Sequence, residues 1–295
     1  MPFLSPLRYP GSKRRLMRYV EQVLEANHFR PHLYVEPFVG GGSVALHLLQ
    51  NRKIDKVILI DLDPWIASFW KTVFWDSEWL IEQIERAPIT LEAWQAAKKS
   101  IPTTTREQAW ICLFLNRTSF SGILRPEVGP LGGRAQASPY KIDCRFPRQT
   151  LIERVRRIAE FREHVYAVWN ASWEEGLQMV RVEQRNGKLP SDGVFFYLDP
   201  PFFEKAEKLY RYYFTETDHL ALRDALLQLQ DKWLLSYDSA EQVENLYGEA
   251  LALGRNGAKR SDVEWFYSLS LRERKLGKEV ILSNLETLPE FNGHW

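Results

Sequence analysis

The 295-residue chain has a formal net charge of +1, with 45% hydrophobic and 26% charged residues, which is typical of a globular protein. No window approaches the ~18 apolar residues of a membrane span, and no apolar run near the start precedes a cleavage site, so we expect a cytoplasmic protein without a membrane partner. Cys112 and Cys144 lack a neighbouring thiol or a suitably spaced histidine and predict neither a disulfide framework nor a metal site.

The first predicted element is a helix that starts within "RYPGSKRR", residues 8–15. Pro10-Gly11-Ser12 indicates a turn, Ser12 is a favourable N-cap, and apolar residues continue at helical spacing to Asn27. Three cations, Lys13 to Arg15, occupy the first turn, where the positive end of the helix dipole disfavours them. The helix alone does not explain why cations stand there.

Two predicted strands follow, with a glycine-rich turn and a helix between them. The run "LYVEPF" leads into "VGGGS", and "KVILI" ends at Asp61, which predicts a βαβ unit with parallel strands. Asp61 lies about 25 residues after Glu36, near the spacing at which dinucleotide-type folds place an acid on a ribose. The chain has no Walker Gly-Lys-Ser/Thr motif, and Glu36 would repel a pyrophosphate, so a phosphate-rich cofactor is disfavoured.

Residues 76–147 break this pattern, and we predict that they form an inserted, mostly helical domain. Residues 1–75 and 148–295 form the main domain of this prediction. Helical stretches over 91–99 and 106–115 precede the Gly/Pro-rich "GPLGGRAQASPY". Residues 116–157 carry nine cations and three acids, a local excess of +6. This excess fits a surface that faces phosphates, and a solvated charged face explains such a cluster about as often.

The main sheet resumes after a helix predicted over 150–163. "VYAVWN" and "GVFFYLDPPF" are predicted strands, the second apolar enough to be covered on both faces. Thr215 and Asp218 predict a capping box for a helix that extends to Leu229, and "KWLLSYDS" is the next strand. Residues 254–261 are predicted to be a mobile loop before an antiparallel hairpin of "EWFYSLSLR" and "KEVILSN".

The tetrapeptide Asp199-Pro200-Pro201-Phe202 follows the most apolar strand. It places a carboxylate, two backbone carbonyls and an aromatic face in a rigid turn, which fits a flat substrate with an amino group. A strand terminator with a core phenylalanine is the structural alternative for the tetrapeptide taken alone. Ligands of open α/β sheets bind at the carboxyl ends of the strands, so we expect Glu36, Asp61 and Asp199 to share one site.

Together these motifs resemble the DNA adenine methyltransferases of the Dam and DpnM type, which use S-adenosylmethionine. The resemblance extends from "RYPGSK" and "EPFVGGGS" through "DLDP", "NRTSFSG" and "YKIDCRF" to "YLDPPF" and "KEVILSN". It implies an α/β fold, a Rossmann-like S-adenosylmethionine-dependent methyltransferase sheet, with residues 76–147 as the target-recognition domain.

The resemblance also implies a mechanism and a set of contacts. An adenine flipped out of double-stranded DNA would stack on Phe202 and donate its amino hydrogens to Asp199 and the Pro200 carbonyl, which would prepare the nitrogen for direct methyl transfer. The implied catalytic residues are Asp199, Pro200, Pro201 and Phe202. The implied cofactor contacts are Tyr9, Lys13, Glu36, Pro37, Phe38, Gly40, Gly41, Gly42, Asp61, for the ribose, and Asp199. The implied DNA contacts, mainly to phosphates, are Arg14, Arg117, Arg125, Arg134, Lys141 and Arg145.

Two features depart from the family pattern. Phe202 stands where many relatives have tyrosine, and "FSGI" replaces the Asn-rich turn of GATC-specific members, so no target sequence is transferred. Tyr210, Tyr212 and Tyr213 either cap the flipped base or pack on the sheet. We expect a monomer or weak dimer, and a cognate restriction enzyme is one partner to consider.

Three alternative functions stay open. Methylation of the cytosine amino group poses the same chemical problem, although its motif usually begins with Ser. An RNA base could also be the substrate. A DNA-binding protein with a decayed cofactor site is the third alternative, and the intact Lys13, Asp61 and Asp199 argue against it.

Overall fold

The protein is built around a sheet of seven strands in the order β3-β2-β1-β4-β5-β7-β6. The computed structural model describes residues 4–8, 16–203, 206–238, 241–266 and 276–291. Strands β1 to β5 are parallel, and β7 runs antiparallel to both β5 and β6. This arrangement confirms the predicted Rossmann-like sheet. The strands are β1 Leu33–Glu36, β2 Lys56–Asp61, β3 Val165–Asn170, β4 Val194–Leu198, β5 Lys232–Asp238, β6 Lys259–Phe266 and β7 Leu276–Ser283.

Eleven α-helices among the described residues connect and cover these strands. Several begin at side chains that accept backbone N–H bonds, and the predicted capping box of Thr215 and Asp218 is confirmed. The helices are α1 Leu16–Ala26, α2 Ser43–Gln50, α3 Pro64–Trp75, α4 Ser77–Arg86, α5 Leu91–Lys99, α6 Thr105–Thr118, α7 Arg148–Ala159, α8 Trp173–Arg185, α9 Ala206–Leu209, α10 Glu216–Gln228 and α11 Glu241–Ala252.

The sheet is buried on both faces, which explains the continuous apolar runs of its central strands. In β1, Tyr34 faces one hydrophobic cluster while its neighbour Val35 faces the other. Side chains alternate between the two faces of a strand, so a strand with apolar residues at every position needs helices on both sides. Helices α1 to α7 contribute to the first cluster, and α8, α10 and α11 contribute to the second.

The predicted inserted segment packs directly on the first layer of helices. Helix α6 lies along α3, where the Ser68 hydroxyl donates to the Gln108 side chain over 2.7 Å. Trp94 and Phe114 from this segment belong to the same hydrophobic cluster as Trp70. The segment therefore shares a core with the sheet, and its proposed boundaries at residues 76 and 147 stay a prediction.

Two elements differ from the sequence prediction. The first helix is described from Leu16 onward, and its predicted start at Ser12 lies outside the described residues and stays a prediction. The helix predicted over 150–163 extends over Arg148–Ala159. The predicted mobile loop is wrong at its end, because Lys259–Ser261 belong to β6 and pair with β7. Since β6 is an edge strand with many polar side chains, its sequence lacks the apolar run of a buried strand.

The antiparallel hairpin predicted at the end of the chain is confirmed by the pairing of β6 with β7. Its connecting turn lies outside the described residues. In the part of the chain that the structure describes, no helix combines the length and the apolar sequence that crossing a membrane requires.

Candidate active site

Three carboxylates meet at the carboxyl ends of neighbouring strands. Glu36 ends β1, Asp61 ends β2 and Asp199 directly follows β4. Strand β1 lies between β2 and β4, and all three are parallel, so their ends form one edge of the sheet. Glu36, Asp61 and Asp199, named the acidic edge below, all line a cavity of about 250 Å³. The structure therefore brings together the acids that the sequence placed in one site.

The glycine-rich turn after β1 forms the adjoining wall of this cavity. Gly40 and Gly42 have positive φ angles of 42° and 60°, which favour glycine. A Cβ atom at Gly42 would lie 2.8 Å from the Trp70 ring, and Trp70 Nε1 donates to the Gly40 carbonyl over 2.9 Å. Glycine thus lets the turn pass close to α3. Pro37, Phe38 and Gly41 also line the cavity.

Glu36 is buried and held by two donors. Its Oε2 accepts hydrogen bonds from the Tyr34 hydroxyl at 2.9 Å and from the Ala45 N–H at 3.2 Å. Burial raises the pKa of Glu36 to about 8, against the lowering effect of the Tyr34 bond and with a further rise from the charge of Asp199. Among the described residues, no cationic side chain forms an ion pair with Glu36.

Asp61 binds the backbone of the turn that it faces. Its two carboxylate oxygens accept N–H bonds from Gly40 and Asp63, each at 2.9 Å. Burial, followed by the charge of Asp63, raises its pKa to about 7. Asp61 therefore fixes the glycine turn to the end of β2, a structural contribution that sequence reasoning missed. Its predicted contact with a ribose stays a prediction.

The tetrapeptide Asp199-Pro200-Pro201-Phe202 is supported from the neighbouring strand β5. Ser236 Oγ lies 3.1 Å from Asp199 Oδ1 and 3.1 Å from the Tyr197 hydroxyl, which forms a short hydrogen-bonded chain. Asp199 and Pro201 line the cavity, whereas buried Pro200 and half-buried Phe202 lie outside its lining. The Asp199 carboxylate is thus oriented by its neighbours and faces the cavity.

Phe202 and Phe203 enter two separate aromatic contacts. Phe202 packs edge to face with Tyr210, with ring centroids 6.0 Å apart. Phe203 stacks on buried His219 at 3.9 Å, and His219 Nδ1 lies 2.7 Å from the Tyr237 hydroxyl. Burial lowers the pKa of His219 to about 4, so the imidazole is neutral. A single buried histidine gives no functional signal in a sequence. The sequence analysis therefore missed the stacking of His219 on Phe203, next to the tetrapeptide.

The segment after the tetrapeptide also lines the cavity. Tyr210, Tyr212 and Tyr213 are all part of the lining. Tyr212 and Tyr213 are 40% and 52% exposed, so they do not pack on the sheet. The other role predicted for these two residues, a contact with a flipped base, stays a prediction. Arg211, between Tyr210 and Tyr212 in the sequence, forms an ion pair with Asp63.

Arg117 lies at the end of α6, only 6% exposed, among other arginines. Burial and the charges of Arg154, Arg8 and Arg145 lower its pKa to about 9. Asn116 binds the backbone of Arg8 through two hydrogen bonds, of 2.7 and 3.0 Å, which holds residue 8 against the end of α6. Arg8, Arg117, Arg145 and Arg154 are named the arginine cluster below.

The other predicted DNA contacts are distributed over the loops after α6. Arg125 is half-buried and paired with Glu127 at 3.1 Å, whereas Arg134, Lys141 and Arg145 are exposed. The predicted contacts Tyr9, Lys13 and Arg14 lie outside the described residues.

The cysteines are free, Cys112 buried and Cys144 exposed. Burial raises the pKa of the Cys112 thiol well above its usual range. The described residues contain no group of three or more His, Cys, Asp or Glu side chains that could hold a metal ion.

The chain is similar in sequence to one protein family and to several individual proteins. Residues 9–127 match the family of D12 class N6 adenine-specific DNA methyltransferases. The chain is 24% identical over 281 residues to the type II methyltransferase M1.LlaDCHI of Lactococcus lactis subsp. cremoris, an alignment that covers 86% of this chain and 89% of the relative.

Two shorter alignments agree with this match. The chain is 35% identical over 80 residues to the type II methyltransferase M.MjaIII of Methanocaldococcus jannaschii, which covers 26% of this chain and 28% of the relative. It is 28% identical over 128 residues to a DNA adenine methylase of Haemophilus influenzae, which covers 40% of this chain and 42% of the relative. These findings confirm the predicted resemblance to adenine methyltransferases of the Dam type.

Proposed function

We propose that the protein transfers a methyl group from S-adenosylmethionine to the exocyclic amino group of an adenine that is flipped out of double-stranded DNA. One observation carries the proposal: a single cavity is lined by both the glycine turn after β1 and the Asp199 carboxylate after β4. The methyl donor and the acceptor amino group need these two walls at one place, and adjacent parallel strands provide them.

The walls of the cavity fit the proposed cofactor. S-adenosylmethionine carries a sulfonium and an ammonium group, and a cation bound beside the acidic edge would favour the ionised form of its carboxyl groups, whose pKa values burial raises. Phe38, Trp173 and Phe214 give apolar surface for a nucleoside. Glu36 to Gly42 and Asp61 would hold the cofactor, with Tyr9 and Lys13 as further proposed contacts. When bound, S-adenosylmethionine supplies an electrophilic methyl group.

Asp199 and its neighbours would prepare the acceptor nitrogen. The Ser236 hydroxyl donates to Oδ1, which holds the carboxylate in place, and the carboxylate would accept one amino hydrogen. The Pro200 carbonyl would accept the second amino hydrogen. These two bonds draw the nitrogen lone pair out of conjugation with the ring and stabilise the positive charge that develops on nitrogen. Neither cysteine lines the cavity, so the proposed transfer is direct.

The arginine cluster supports double-stranded DNA as the partner. Arg8 Nη1 and Arg117 Nε are buried and have no hydrogen-bond partner. Buried donors in proteins are normally satisfied, so one unsatisfied nitrogen on each of two neighbouring guanidinium groups, in a cluster of four arginines, supports an anion site here. A DNA phosphate is the anion that the family resemblance implies. Residues 76–147, with Arg125, Arg134, Lys141 and Arg145 in the loops, would form the target-recognition region.

Two further expectations belong to this proposal. The names of two relatives, type II methyltransferases, support a restriction-modification role, in which a cognate restriction enzyme would act on the same DNA. The cytoplasmic location and the monomeric or weakly dimeric state stay predictions.

Transfer of labelled methyl groups to DNA tests the proposal. The purified protein, incubated with methyl-labelled S-adenosylmethionine and genomic DNA, should label adenine, and the Asp199→Asn variant should lose at least about 100-fold in rate. Asp192→Asn changes an exposed aspartate outside the site and should leave the rate unchanged.

Methylation-aware sequencing of DNA from cells that express the protein identifies the base and its sequence context together. Methylcytosine would replace the adenine assignment by the cytosine alternative. Label in RNA alone would favour the RNA alternative, and DNA binding without any transfer would contradict the enzyme.

A further inference from the structure

Residues 210–214, named the strap below, cross the cavity from one side to the other. The strap follows the catalytic tetrapeptide, which lies after β4, and all five of its residues line the cavity. Arg211 contacts Asp63, which follows β2, and β1 stands between β4 and β2 in the sheet. The strap must therefore pass over the end of β1 and its glycine turn to reach Asp63.

Contacts at both ends hold the strap in this position. Arg211 Nη1 donates to Asp63 Oδ1 over 2.7 Å, and the Arg211 guanidinium carbon lies 3.7 Å from the centroid of the Trp65 ring. At the other end, Phe214 packs edge to face on Phe38 of the glycine turn, with centroids 5.5 Å apart. Each contact joins the strap to a different strand end, so the strap closes over the cavity.

The contact of Arg211 is stronger than an ordinary surface ion pair. The Asp63 side chain is 10% exposed and that of Arg211 is 22% exposed, so solvent screens their attraction less than at an open surface. The same guanidinium also lies over the face of Trp65, which adds a cation–π attraction. Release of the strap breaks both contacts at once.

Asp63 is fixed independently of Arg211. Its Oδ1 also accepts the Trp65 N–H at 2.9 Å and so caps the N-terminus of α3. The strap is therefore latched to a rigid helix end that stands in place when the strap opens. Substitution of Asp63 would disturb the cap as well as the latch, which makes Arg211 the cleaner position to change.

We propose that Arg211 is a positioning residue that latches the strap over the bound cofactor and so sets how fast the cofactor enters and leaves. This inference rests on the proposed function, because it takes S-adenosylmethionine as the occupant of the cavity. With the latch broken, the strap opens more often, and the cofactor leaves faster. The chemical step, which depends on Asp199, proceeds at its former rate once the cofactor is saturating.

The test measures dissociation of S-adenosylmethionine by stopped-flow competition, together with steady-state methyl transfer. Arg211→Ala should accelerate dissociation about tenfold and raise the KM for S-adenosylmethionine by a similar factor, with kcat within about twofold of the wild type. Arg211→Lys keeps the charge and loses the planar stack, so its dissociation rate and KM should lie between those of the wild type and Arg211→Ala. Arg255→Ala, at an exposed arginine 3.8 Å from Glu249, is the matched control and should change nothing.

Trp65→Leu gives a second, independent variant. It removes the stacked ring and leaves the ion pair, so it should accelerate dissociation less than Arg211→Ala. Unchanged dissociation in both variants, or equal losses of kcat and cofactor affinity, would overturn the latch. A wild-type protein that binds no S-adenosylmethionine would instead refute the proposed function, and the two failures are distinguished by this first measurement.

Discussion

The acidic edge and the arginine cluster each gather side chains of one charge type, and they differ in how well the fold satisfies their hydrogen bonds. Burial raises the pKa of Glu36 and Asp61 at the first and lowers that of Arg117 at the second. The acids accept hydrogen bonds from backbone N–H groups of the glycine turn and α2. Among the described residues, Arg117 Nε and Arg8 Nη1 are buried without a hydrogen-bond partner.

This difference shows how far each region is organised without its ligand. The acidic edge is satisfied by the fold itself, so its geometry is preorganised for a cationic ligand. The arginine cluster leaves donors unsatisfied, a cost that an anion removes. Four experiments address this comparison, in order of decreasing expected free-energy change.

The largest effect concerns the pH dependence of stability at the acidic edge. The pKa of Glu36 is raised to about 8 in the folded state, so between pH 5 and 8 the folded protein retains a proton that the unfolded chain releases. Stability therefore falls as pH rises through this window, by a few kcal/mol. Glu36→Gln should remove the part of this fall that Glu36 causes and leave the part from Asp61, whose pKa is raised to about 7, as measured by urea unfolding at pH 5 and 8.5. A variant that loses as much stability as the wild type would show that Glu36 ionises normally.

Substitution of Phe202 separates base stacking from cofactor binding. Phe202→Ala should lower kcat/KM for DNA by roughly 10- to 100-fold, since loss of a stacked base costs about 1–3 kcal/mol. Phe202→Tyr keeps the ring and should retain activity. Phe202 lies outside the cavity lining, so calorimetry should show unchanged affinity for S-adenosylmethionine. A loss of cofactor affinity as large as the loss of kcat/KM for DNA would indicate that Phe202 contacts the cofactor.

Salt titration of DNA binding tests the arginine cluster. Arg145→Ala should weaken binding by up to about tenfold at low salt and reduce the slope of log K against log salt by about one. Arg117→Met, which preserves buried volume, should do the same. Arg162→Ala is the control, since Arg162 is exposed, pairs with Glu163 just before β3 and is not part of the arginine cluster. If the slope of log K against log salt is the same in all three variants, the arginine cluster does not bind DNA phosphates.

The smallest effect tests whether the two regions fold as one unit. Thr104 caps α6 in the inserted segment and Ser172 caps α8 beside the cavity, each within a capping box. Thr104→Ala and Ser172→Ala should each cost about 1 kcal/mol in a single cooperative unfolding transition, followed by circular dichroism and tryptophan fluorescence. Transitions that differ between the two probes would indicate that residues 76–147 unfold separately.

The acidic edge could be predicted from the sequence because its signals are local. Apolar runs that end in Glu36, Asp61 and Asp199 indicate strand ends, and parallel strands bring their carboxyl ends together. The glycines between two such runs indicated the turn. These strand ends and the glycine turn were enough to predict where the cavity lies.

The remaining features depend on contacts between distant segments. Arg211 and Asp63 are 148 residues apart, and His219 meets Tyr237 on another element. The burial of Arg117 follows from the packing of α6 on α3, which composition cannot show. Sequence patterns report the period of an element and its ends, and they do not report which side chains meet across the fold.

The packing of α6 on α3 limits how sequence specificity could be exchanged between related enzymes. A chimera that transplants residues 76–147 as a block would replace α6 and leave its buried partner α3 behind, with mismatched side chains such as Gln108 against Ser68. Overpacked or vacant positions in such an interface typically cost 1–3 kcal/mol or more. A transplant confined to residues 119–147 keeps this interface whole, so under the proposed function the end of α6 is the crossover point for a chimera with a new target sequence.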